Sequence, residues 1–362
     1  MQTENISTSQ FKSLIIMFIL GTSLLISGDS KAMEDTWIAL LIAIAISIPL
    51  IYIYGKLLLR FPGIGLFDIL PQVYGGFLGK IFIFLYTFYF FHLGAIDIRN
   101  TTEYVQVVSF PETPLYITAI FIGLLSLYAI NAGLSVLSTW TKIILPLIFI
   151  VIFATFILAI PQFDYSYIQP ILYNGWKPVI EGAYSLLVFP FGESVIFMVF
   201  LCRLSNKKDT TKTLISGILI GGFILLTTTF RNTLLLGFPN LSKIYFPSHY
   251  ATSIININGF VQRIEIIISI NLLLTSFTKI AVCLYASCVG VSKFFNFRNF
   301  KKTSTILCVL MIILSSLLYR STMEMFEFIH IYKYYVIPFQ FVIPTLTLIV
   351  AIVRKKGITN ME

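Results

Sequence analysis

Two apolar segments of this chain combine helix-breaking residues with groups that can bind a small polar molecule. The first segment, 14–27, carries Gly21-Thr22-Ser23, and the second, 179–201, carries Phe189-Pro190-Phe191-Gly192-Glu193. A membrane-spanning helix must satisfy its own backbone, so a break at membrane depth survives only where it is buried or lines a cavity. Interrupted segments at corresponding positions of two halves are typical of a transporter-type ligand site. The pattern predicts a ligand site near the bilayer midplane.

The first break offers a small polar surface. Glycine permits non-helical backbone, and the N–H groups that begin the following half-helix attract a carboxylate. Thr22 and Ser23 add hydroxyl groups. Close helix packing is an alternative interpretation of these small residues, and it stays open.

The second break places a carboxylate at the centre of a span. Pro190 removes a backbone donor and clashes with the preceding turn, while Gly192 relieves the backbone. A charge such as Glu193 at this depth costs roughly 2.5–3.5 kcal/mol on insertion scales, so it is normally partnered or functional. Three roles stay open for Glu193: accepting the ammonium group of an amino acid, exchanging a proton, or pairing with a basic residue.

Further ionisable residues lie within or at the ends of apolar segments. They are Asp97, Arg99, Glu103, Arg231, Glu265 and Lys279. Arg99 and Glu103 are spaced to pair along one helix. Arg231 requires an acidic partner, for which Glu265, Glu193 and Asp97 are the candidates. We predict a structural ion-pair network, with a gating role as the alternative.

Lys279 follows three hydroxyl residues, Thr275, Ser276 and Thr278. Hydroxyls at this spacing either cap neighbouring helices or bind a cation. Two interpretations of Lys279 therefore stay open: it stands where a bound cation would otherwise sit, or it snorkels toward the cytoplasmic interface.

The elements that must position these residues are membrane-spanning helices. The chain has 362 residues, of which 57% are hydrophobic and 11% charged, and its mean hydropathy is +0.90. A soluble domain is about 25% charged. Apolar runs of roughly 18 or more residues predict spanning helices. We place about ten, at 12–28, 36–55, 78–100, 114–132, 139–160, 178–201, 212–237, 260–290, 303–320 and 335–353.

The net charge of +9 is a topology signal and does not indicate nucleic-acid binding. With both termini on one side, alternate loops and the C-terminal tail collect most of the lysines and arginines. The positive-inside rule then predicts that both termini are cytoplasmic. We predict that the chain, 1–362, forms a single permease-like domain. The positions of the two breaks indicate two inverted repeats of five spans each, at about 12–160 and 178–354. The fold class is therefore an all-α polytopic membrane protein with discontinuous helices 1 and 6.

No catalytic or metal-binding pattern is visible in the sequence. We find no nucleophile elbow, phosphate loop or metal-ligand spacing among its four cysteines and three histidines. We therefore expect no enzymatic activity, no cofactor and no metal, and any transport would be driven by a gradient.

The chain resembles a known family at several motifs. Four features are similar to the B subunit of endospore germinant receptors: the short polar start at 6–11, Gly21-Thr22, Phe61-Pro62-Gly63 after the second span, and the Phe-Pro-Phe-Gly-Glu run at 189–193. That family belongs to the amino acid–polyamine–organocation superfamily of permeases. The resemblance covers essentially the whole chain, and the 189–193 motif is its most specific part.

The resemblance implies a sensor of an amino acid or another small nutrient. It implies a place in the inner membrane of dormant spores, with receptor A and C subunits as partners. Its ligand site would lie between spans one, three, six and eight. That site would comprise Gly21, Thr22, Ser23, Tyr89, Phe90, Leu93, Phe189, Pro190, Phe191, Gly192, Glu193, Thr275 and Ser276. The phenylalanines that flank the site favour a small apolar amino acid as the ligand, and an uncharged sugar or nucleoside stays open as an alternative ligand. For the function, a working amino acid transporter stays open as the alternative to a sensor.

Overall fold

A computed structural model describes residues 5–25, 30–255, 264–297 and 299–357. The ends of the predicted first and eighth spans at 26–28 and 260–263 lie outside these residues. The described chain forms thirteen α-helices and no β-strand. They are α1 (Thr8–Leu20), α2 (Thr36–Arg60), α3 (Leu66–Tyr74), α4 (Gly76–Val108), α5 (Leu115–Ala132), α6 (Leu134–Ala159), α7 (Trp176–Leu186), α8 (Thr210–Leu241), α9 (Pro247–Ser253), α10 (Ile264–Phe295), α11 (Phe300–Leu317), α12 (Thr322–Tyr335) and α13 (Ile343–Val353).

The prediction of about ten membrane-spanning segments is confirmed. In the described part of the chain, nine helical runs are long and apolar enough to cross a membrane by length and composition, and the shorter apolar run Thr8–Leu24 precedes them. The nine are Lys31–Arg60, Gly76–Val108, Leu115–Ala132, Leu134–Gln162, Trp176–Val199, Lys207–Leu241, Ile264–Phe295, Phe300–Leu317 and Thr322–Val353. The last run begins thirteen residues before its predicted start at 335, because the polar turns of α12 continue without a stop into the apolar α13.

Large apolar side chains cover the outside of the bundle. Phe77 is 80% exposed, Tyr128 75% and Leu317 75%. Exposing large apolar side chains of this kind to water is unfavourable, whereas lipid tails can surround them. The protein is therefore an integral membrane protein.

Both described ends of the chain lie at one end of the bundle, which we call the terminal end. Ile6 donates its backbone N–H to the carbonyl of Arg203 at 3.0 Å, and Arg60 Nε donates to the carbonyl of Lys356 at 2.6 Å. An even number of crossings produces this arrangement. The opposite end carries the short helix α9, and we call it the α9 end.

The ten segments form the predicted five-plus-five inverted repeat, with a break in the first segment of each half. In an apolar 18-residue window of the Trp176–Val199 run, which opens the second half, 89% is buried, whereas 28% of the Leu115–Ala132 run is buried. The broken segments therefore lie at the centre of the bundle and segments such as α5 at its edge. α1 packs against α6, α8 and α10.

Two glycines bring α1 close to α8. A Cβ atom added at Gly217 would lie 2.7 Å from Ile15 Cγ2, and one added at Gly221 would lie 2.9 Å from Ile19 Cγ2. The four-residue spacing on both helices matches the small-residue pattern that lets membrane helices approach closely. This contact holds the broken first segment against the second half of the chain.

We expect Gly217→Val to lower the thermal unfolding temperature of the protein in lipid nanodiscs. Overpacking a tight contact costs about 1–3 kcal/mol, and Ile15 is a stiff side chain. Gly76→Val is the matched control, because a Cβ atom there meets nothing within 4 Å. Equal unfolding temperatures for the two variants would contradict this packing.

Candidate functional site

The first helix breaks at Gly21, as the sequence predicts. α1 begins at a capping box, in which Gln10 N donates to Ser7 Oγ at 3.3 Å and Ser7 N donates to Gln10 Oε1 at 2.9 Å. The helix ends at Gly21, where φ is 7° and ψ is −129°, and a 3-10 turn at Thr22–Leu24 follows. A Cβ atom on residue 21 would lie 2.6 Å from Lys279 Cδ and 2.7 Å from the carbonyl oxygen of Phe18. Only glycine leaves room here for the lysine side chain.

The second break lies at Phe189. α7 continues into a π-helical turn at Leu187–Phe191, within which Phe189 leaves the helical region with φ −130° and ψ 112°. A 3-10 helix at Gly192–Val199 follows, and it carries Glu193 in its first turn. The predicted discontinuity of this segment is confirmed.

A buried charge cluster joins the two breaks, and we define it as Asp97, Glu193 and Lys279. Lys279 Nζ lies 2.7 Å from Glu193 Oε2 and 3.3 Å from Asp97 Oδ1. All three residues are fully buried. Thr22 Oγ1 donates to Asp97 Oδ1 at 2.8 Å and accepts from Lys279 Nζ at 3.1 Å. Lys279 therefore stays at the midpoint of α10 between two carboxylates and does not snorkel.

Aromatic side chains surround the charge cluster. Lys279 Nζ lies 4.6 Å from the ring centroid of Phe189 and 5.4 Å from that of Phe18. The hydroxyl group of Tyr332, on α12, donates to Glu193 Oε1. These rings exclude water from the ammonium group while offering it their negative faces.

Side chains from other helices satisfy backbone carbonyls that the breaks release. Thr275 Oγ1 lies 3.4 Å from the carbonyl oxygen of Gly21. Gln340 Nε2 donates to the carbonyl oxygen of Val188 at 3.1 Å and to the hydroxyl oxygen of Tyr89 at 3.0 Å. Non-helical backbone at membrane depth requires such partners.

The remaining predicted site residues lie around this centre. Leu93 lines a cavity beside the charge cluster, and Ser23 and Pro190 line another. Ser276 is fully buried, and its hydroxyl oxygen has no hydrogen-bond partner in the described structure. Phe90, Phe191 and Gly192 pack in the interior, Phe90 against Tyr86, Phe191 beside Gly222 and Gly192 against Gln340.

Three cavities lead from the α9 end to the charge cluster. The vestibule, of about 360 Å³, is lined by Thr229, Asn232, Tyr245, Ile329 and other residues. The break pocket, of about 30 Å³, shares Thr229 and Asn232 with the vestibule. The inner cavity, of about 40 Å³, shares Phe189 with the break pocket and Ile329 with the vestibule.

These volumes describe a closed site beneath an open vestibule. Pockets for small molecules typically have about 300–1,000 Å³, and a cavity needs only about 10–15 Å³ to hold one water. The vestibule therefore has room for a nutrient-sized molecule, whereas the break pocket and the inner cavity have room only for water-sized species. Phe189 separates the two small cavities.

Arg99 and Glu103 form the predicted intrahelical ion pair. Arg99 Nη2 lies 2.6 Å from Glu103 Oε1, and both side chains are buried. Thr322 Oγ1 donates to Glu103 Oε2 at 2.8 Å. This pair therefore ties α4 to the start of α12 on the α9 side of the charge cluster.

The expectation of an acidic partner for Arg231 is wrong within the described residues. Arg231 Nη1 donates to Thr155 Oγ1 at 2.8 Å, and its Nε and Nη2 donate to Asn232 Oδ1 at 3.2 and 2.9 Å. No described carboxylate lies within 4.0 Å of its guanidinium group. The guanidinium group contacts Thr155 on α6 and the amide of Asn232 instead, so neutral oxygens accept its hydrogen bonds.

Glu265 lies near a polar network at the α9 end. Its backbone carbonyl accepts from Ser269 Oγ at 2.7 Å, and Ser269 Oγ accepts from the hydroxyl group of Tyr104 at 2.7 Å. His249 Nδ1 lies 3.2 Å from Ser269 Oγ. Burial lowers the pKa of His249, although the charge of Glu265 acts in the opposite direction. The imidazole of His249 is therefore neutral at neutral pH.

Sequence reasoning missed several residues of this centre, among them Phe18, Tyr332, Gln340, Asn100 and Tyr319. Gln340 had a visible signal, because it is a strongly polar side chain inside the apolar 335–353 run. The described residues hold no group of three or more His, Cys, Asp or Glu side chains placed to bind a metal ion.

The sequence matches a family model described as "Spore germination protein" over residues 5–323. The chain is 28% identical over 361 residues to Spore germination protein KB of Bacillus subtilis (strain 168), covering 98% of this chain and 97% of that protein. It is 29% identical over 198 residues to Spore germination protein XB of Bacillus anthracis, covering 53% and 54%.

Solved structures of the nucleobase-cation-symport-1 family transporter Mhp1 share the fold. A closed conformation with bromovinylhydantoin bound has a TM-score of 0.70 at 11% sequence identity, covering 95% of this chain and 78% of Mhp1. An inward-facing conformation has a TM-score of 0.52 at 12% identity, covering 96% and 74%. The likeness confirms a transporter-type fold.

We expect Lys279→Met to destabilise the protein strongly, because it leaves two buried carboxylates without their cation. Breaking a buried ion pair on one side typically costs about 3–5 kcal/mol. Adding Glu193→Gln removes one of the stranded charges and should recover a large part of that loss. Unfolding of the single and double variants in nanodiscs measures the coupling, and additive effects of the two substitutions would contradict the cluster.

Proposed function

Because the chain belongs to the spore germination protein family, we propose that it is the nutrient-sensing membrane subunit of a spore germinant receptor. Family and fold together assign it a sensing or transport role for small molecules in a membrane. The relatives and solved structures described above are germination proteins and a transporter. That the protein senses a nutrient, and does not transport it, is our proposal.

The observation that carries this proposal is a vestibule that ends at both helix breaks and at a buried charge cluster. Thr229 and Asn232 connect the vestibule to the break pocket, where Ser23 and Phe189 come from the two breaks. Apolar walls with a few convergent polar groups are typical of small-molecule sites. We propose that the nutrient, a small apolar amino acid, enters through the vestibule and binds between the breaks.

The proposed binding step is coupled to a conformational change. The break pocket, at about 30 Å³, is far smaller than an amino acid, so Phe189 and its neighbours must move before a nutrient occupies it. A ligand shifts a conformational equilibrium only by its difference in affinity for the two states. A nutrient that binds only the opened form would therefore shift the population, and this shift would be the signal.

Orientation and partners follow from the same proposal. The positive-inside rule places the terminal end in the cytoplasm, so the vestibule at the α9 end faces outward, toward nutrients entering the spore. We propose the spore inner membrane as the location. We propose receptor A and C subunits as the partners that convert the population shift into germination.

A gradient-driven amino acid transporter is the second candidate function. The observation that favours it is the fold, which it shares with a transporter, together with a buried carboxylate, Glu193, at the end of the vestibule. A carboxylate at this depth suits proton exchange across the membrane. In this alternative the opened pocket releases the amino acid to the other side.

We expect Glu193→Gln to abolish the germination response of spores to the nutrient, or to shift it at least tenfold in concentration. The substitution removes a charge that holds Lys279 and leaves the size of the side chain unchanged. Glu181→Gln is the matched control, since Glu181 pairs with Lys31 at a half-exposed position. Spores lacking the gene and restored with each form would be tested against single nutrients. A normal response with Glu193→Gln at normal protein levels would remove Glu193 from the site.

We expect Gly21→Leu to shift or abolish the nutrient response as well, because any side chain at residue 21 displaces Lys279. Gly76→Leu is the control, since residue 76 is exposed and has open space around it. Uptake of radiolabelled amino acids into proteoliposomes, measured with the same variants, separates the two functions. Saturable uptake by the wild-type protein, with normal germination of spores that lack the gene, would favour the transporter over the sensor.

A further inference from the structure

Asn232 lies where the vestibule meets the break pocket. It lines both cavities, and only 3% of the residue is exposed. The polar residues that line the break pocket are all uncharged: Ser23, Thr228, Thr229, Asn232 and Ser248. A charged group of a nutrient therefore meets hydrogen-bonding partners in this lining, and any counter-charge has to come from a residue behind it.

A buried positive charge adjoins Asn232. Arg231 lines neither cavity and is 1% exposed, and its Nε and Nη2 donate to Asn232 Oδ1 at 3.2 and 2.9 Å. Its other hydrogen bond runs to Thr155, and no described carboxylate lies within 4.0 Å of the guanidinium group. A buried charge without a counter-charge is unfavourable. An anion bound at Asn232 would reduce this cost.

The hydrogen bonds at Asn232 all run in one direction, away from Arg231. A guanidinium group only donates, so the amide oxygen of Asn232 faces Arg231 and the amide nitrogen lies on the other side. Nδ2 donates to Ser248 Oγ at 3.1 Å. The second N–H of Nδ2 and the hydroxyl hydrogen of Ser248 have no acceptor among the described residues. Hydrogen bonds arranged in such a chain polarise one another. Both free donors are therefore suited to an anion.

We propose that Asn232 binds the carboxylate group of the nutrient, and that Arg231 is a positioning residue whose charge stabilises the bound anion. The carboxylate site rests on the proposed nutrient function and narrows its ligand to a molecule with a carboxylate, such as an amino acid. Hydrogen bonds to an ionised acceptor are roughly twice as strong as neutral ones. An uncharged sugar or nucleoside would not gain this strength.

The position of Asn232 also gives an order to binding. The vestibule, at about 360 Å³, has room for a whole amino acid, and Asn232 is accessible from it. The carboxylate would reach Asn232 from the vestibule first. The apolar side chain of the nutrient would then enter the break pocket as Phe189 moves.

The test compares amino acids with their amides, in which a neutral carboxamide replaces the carboxylate. The purified full chain in nanodiscs of uncharged lipid is titrated with glycine, L-alanine, L-valine or L-leucine, and with the amide of each, while its unfolding temperature is followed. We expect a saturable increase with at least one amino acid. Its amide should bind about tenfold more weakly or worse, because a charge-assisted hydrogen bond is lost.

Asn232→Asp is the decisive variant. It keeps the size of the side chain, and its carboxylate pairs with Arg231, so the unfolding temperature without ligand should equal or exceed that of the wild type. It also removes both Nδ2 donors and repels a second carboxylate. We expect the preference for the amino acid over its amide to fall about tenfold or more. Asn240→Asp is the matched control, because it adds the same charge to α8 at an exposed position that lines neither cavity.

Arg231→Gln tests the positioning role. It removes the charge next to Asn232 and leaves a side chain that can still donate a hydrogen bond. We expect the apparent affinity for the amino acid to fall about tenfold, and that for its amide to stay unchanged, since the amide carries no negative charge. A purely structural role of Arg231 would weaken both ligands equally.

Two results would overturn the carboxylate site alone. They are an unchanged preference for the amino acid in Asn232→Asp, and loss of that preference in Lys243→Gln, which would assign the carboxylate to an exposed lysine of the vestibule. In both cases the amino acid still binds the wild-type protein, so the proposed nutrient function stands. If no amino acid of the panel stabilises the wild type, the proposed nutrient and the carboxylate site fail together.

Discussion

The contacts of one ammonium group organise the centre of this protein. Lys279 comes from the middle of α10 and reaches a carboxylate on α4 and a carboxylate at the second break, while its stem passes over Gly21 at the first break. In a membrane interior, each of these charges is stable only while the others are in place. The cluster therefore fixes the positions of four segments relative to one another, two of which are the broken ones.

The breaks themselves impose a second constraint, because they expose backbone groups where no lipid can pair with them. Thr275 lies against the freed carbonyl of Gly21, and Gln340 donates to the freed carbonyl of Val188. Thr275 is one helical turn from Lys279, and Gln340 also bonds Tyr89. The side chains that pair with the freed carbonyls and those that pair with the charges thus lie on the same helices. A movement that opens one break therefore strains the contacts of the other.

Much of this architecture follows from the sequence because its causes are local in the chain. Apolar length predicts the spans, and Gly21 and Pro190 predict the breaks. The pairing of Arg99 with Glu103 follows from helical spacing alone. The partners of Lys279 and Arg231 depend instead on helix rotation and on the depth of separate spans, which no spacing within one segment determines. For that reason the sequence does not identify Tyr332 as a partner of Glu193, and the predicted acidic partner of Arg231 is wrong within the described residues.

Cavity sizes connect this closed centre to a sensing role. Converting a two-state equilibrium from 1:99 to 99:1 requires a ligand to prefer one state by about 5.5 kcal/mol. A ligand that binds both states with equal affinity does not shift the equilibrium between them. If the pocket already admitted the nutrient in the closed state, most of the required difference in affinity would therefore be lost. In the proposed sensing function, the break pocket and the inner cavity, at about 30 and 40 Å³, would exclude the nutrient from the closed state. Close packing around Phe189 would then make nutrient binding selective for the opened form, and this selectivity would let the occupancy of the pocket change the state of a receptor.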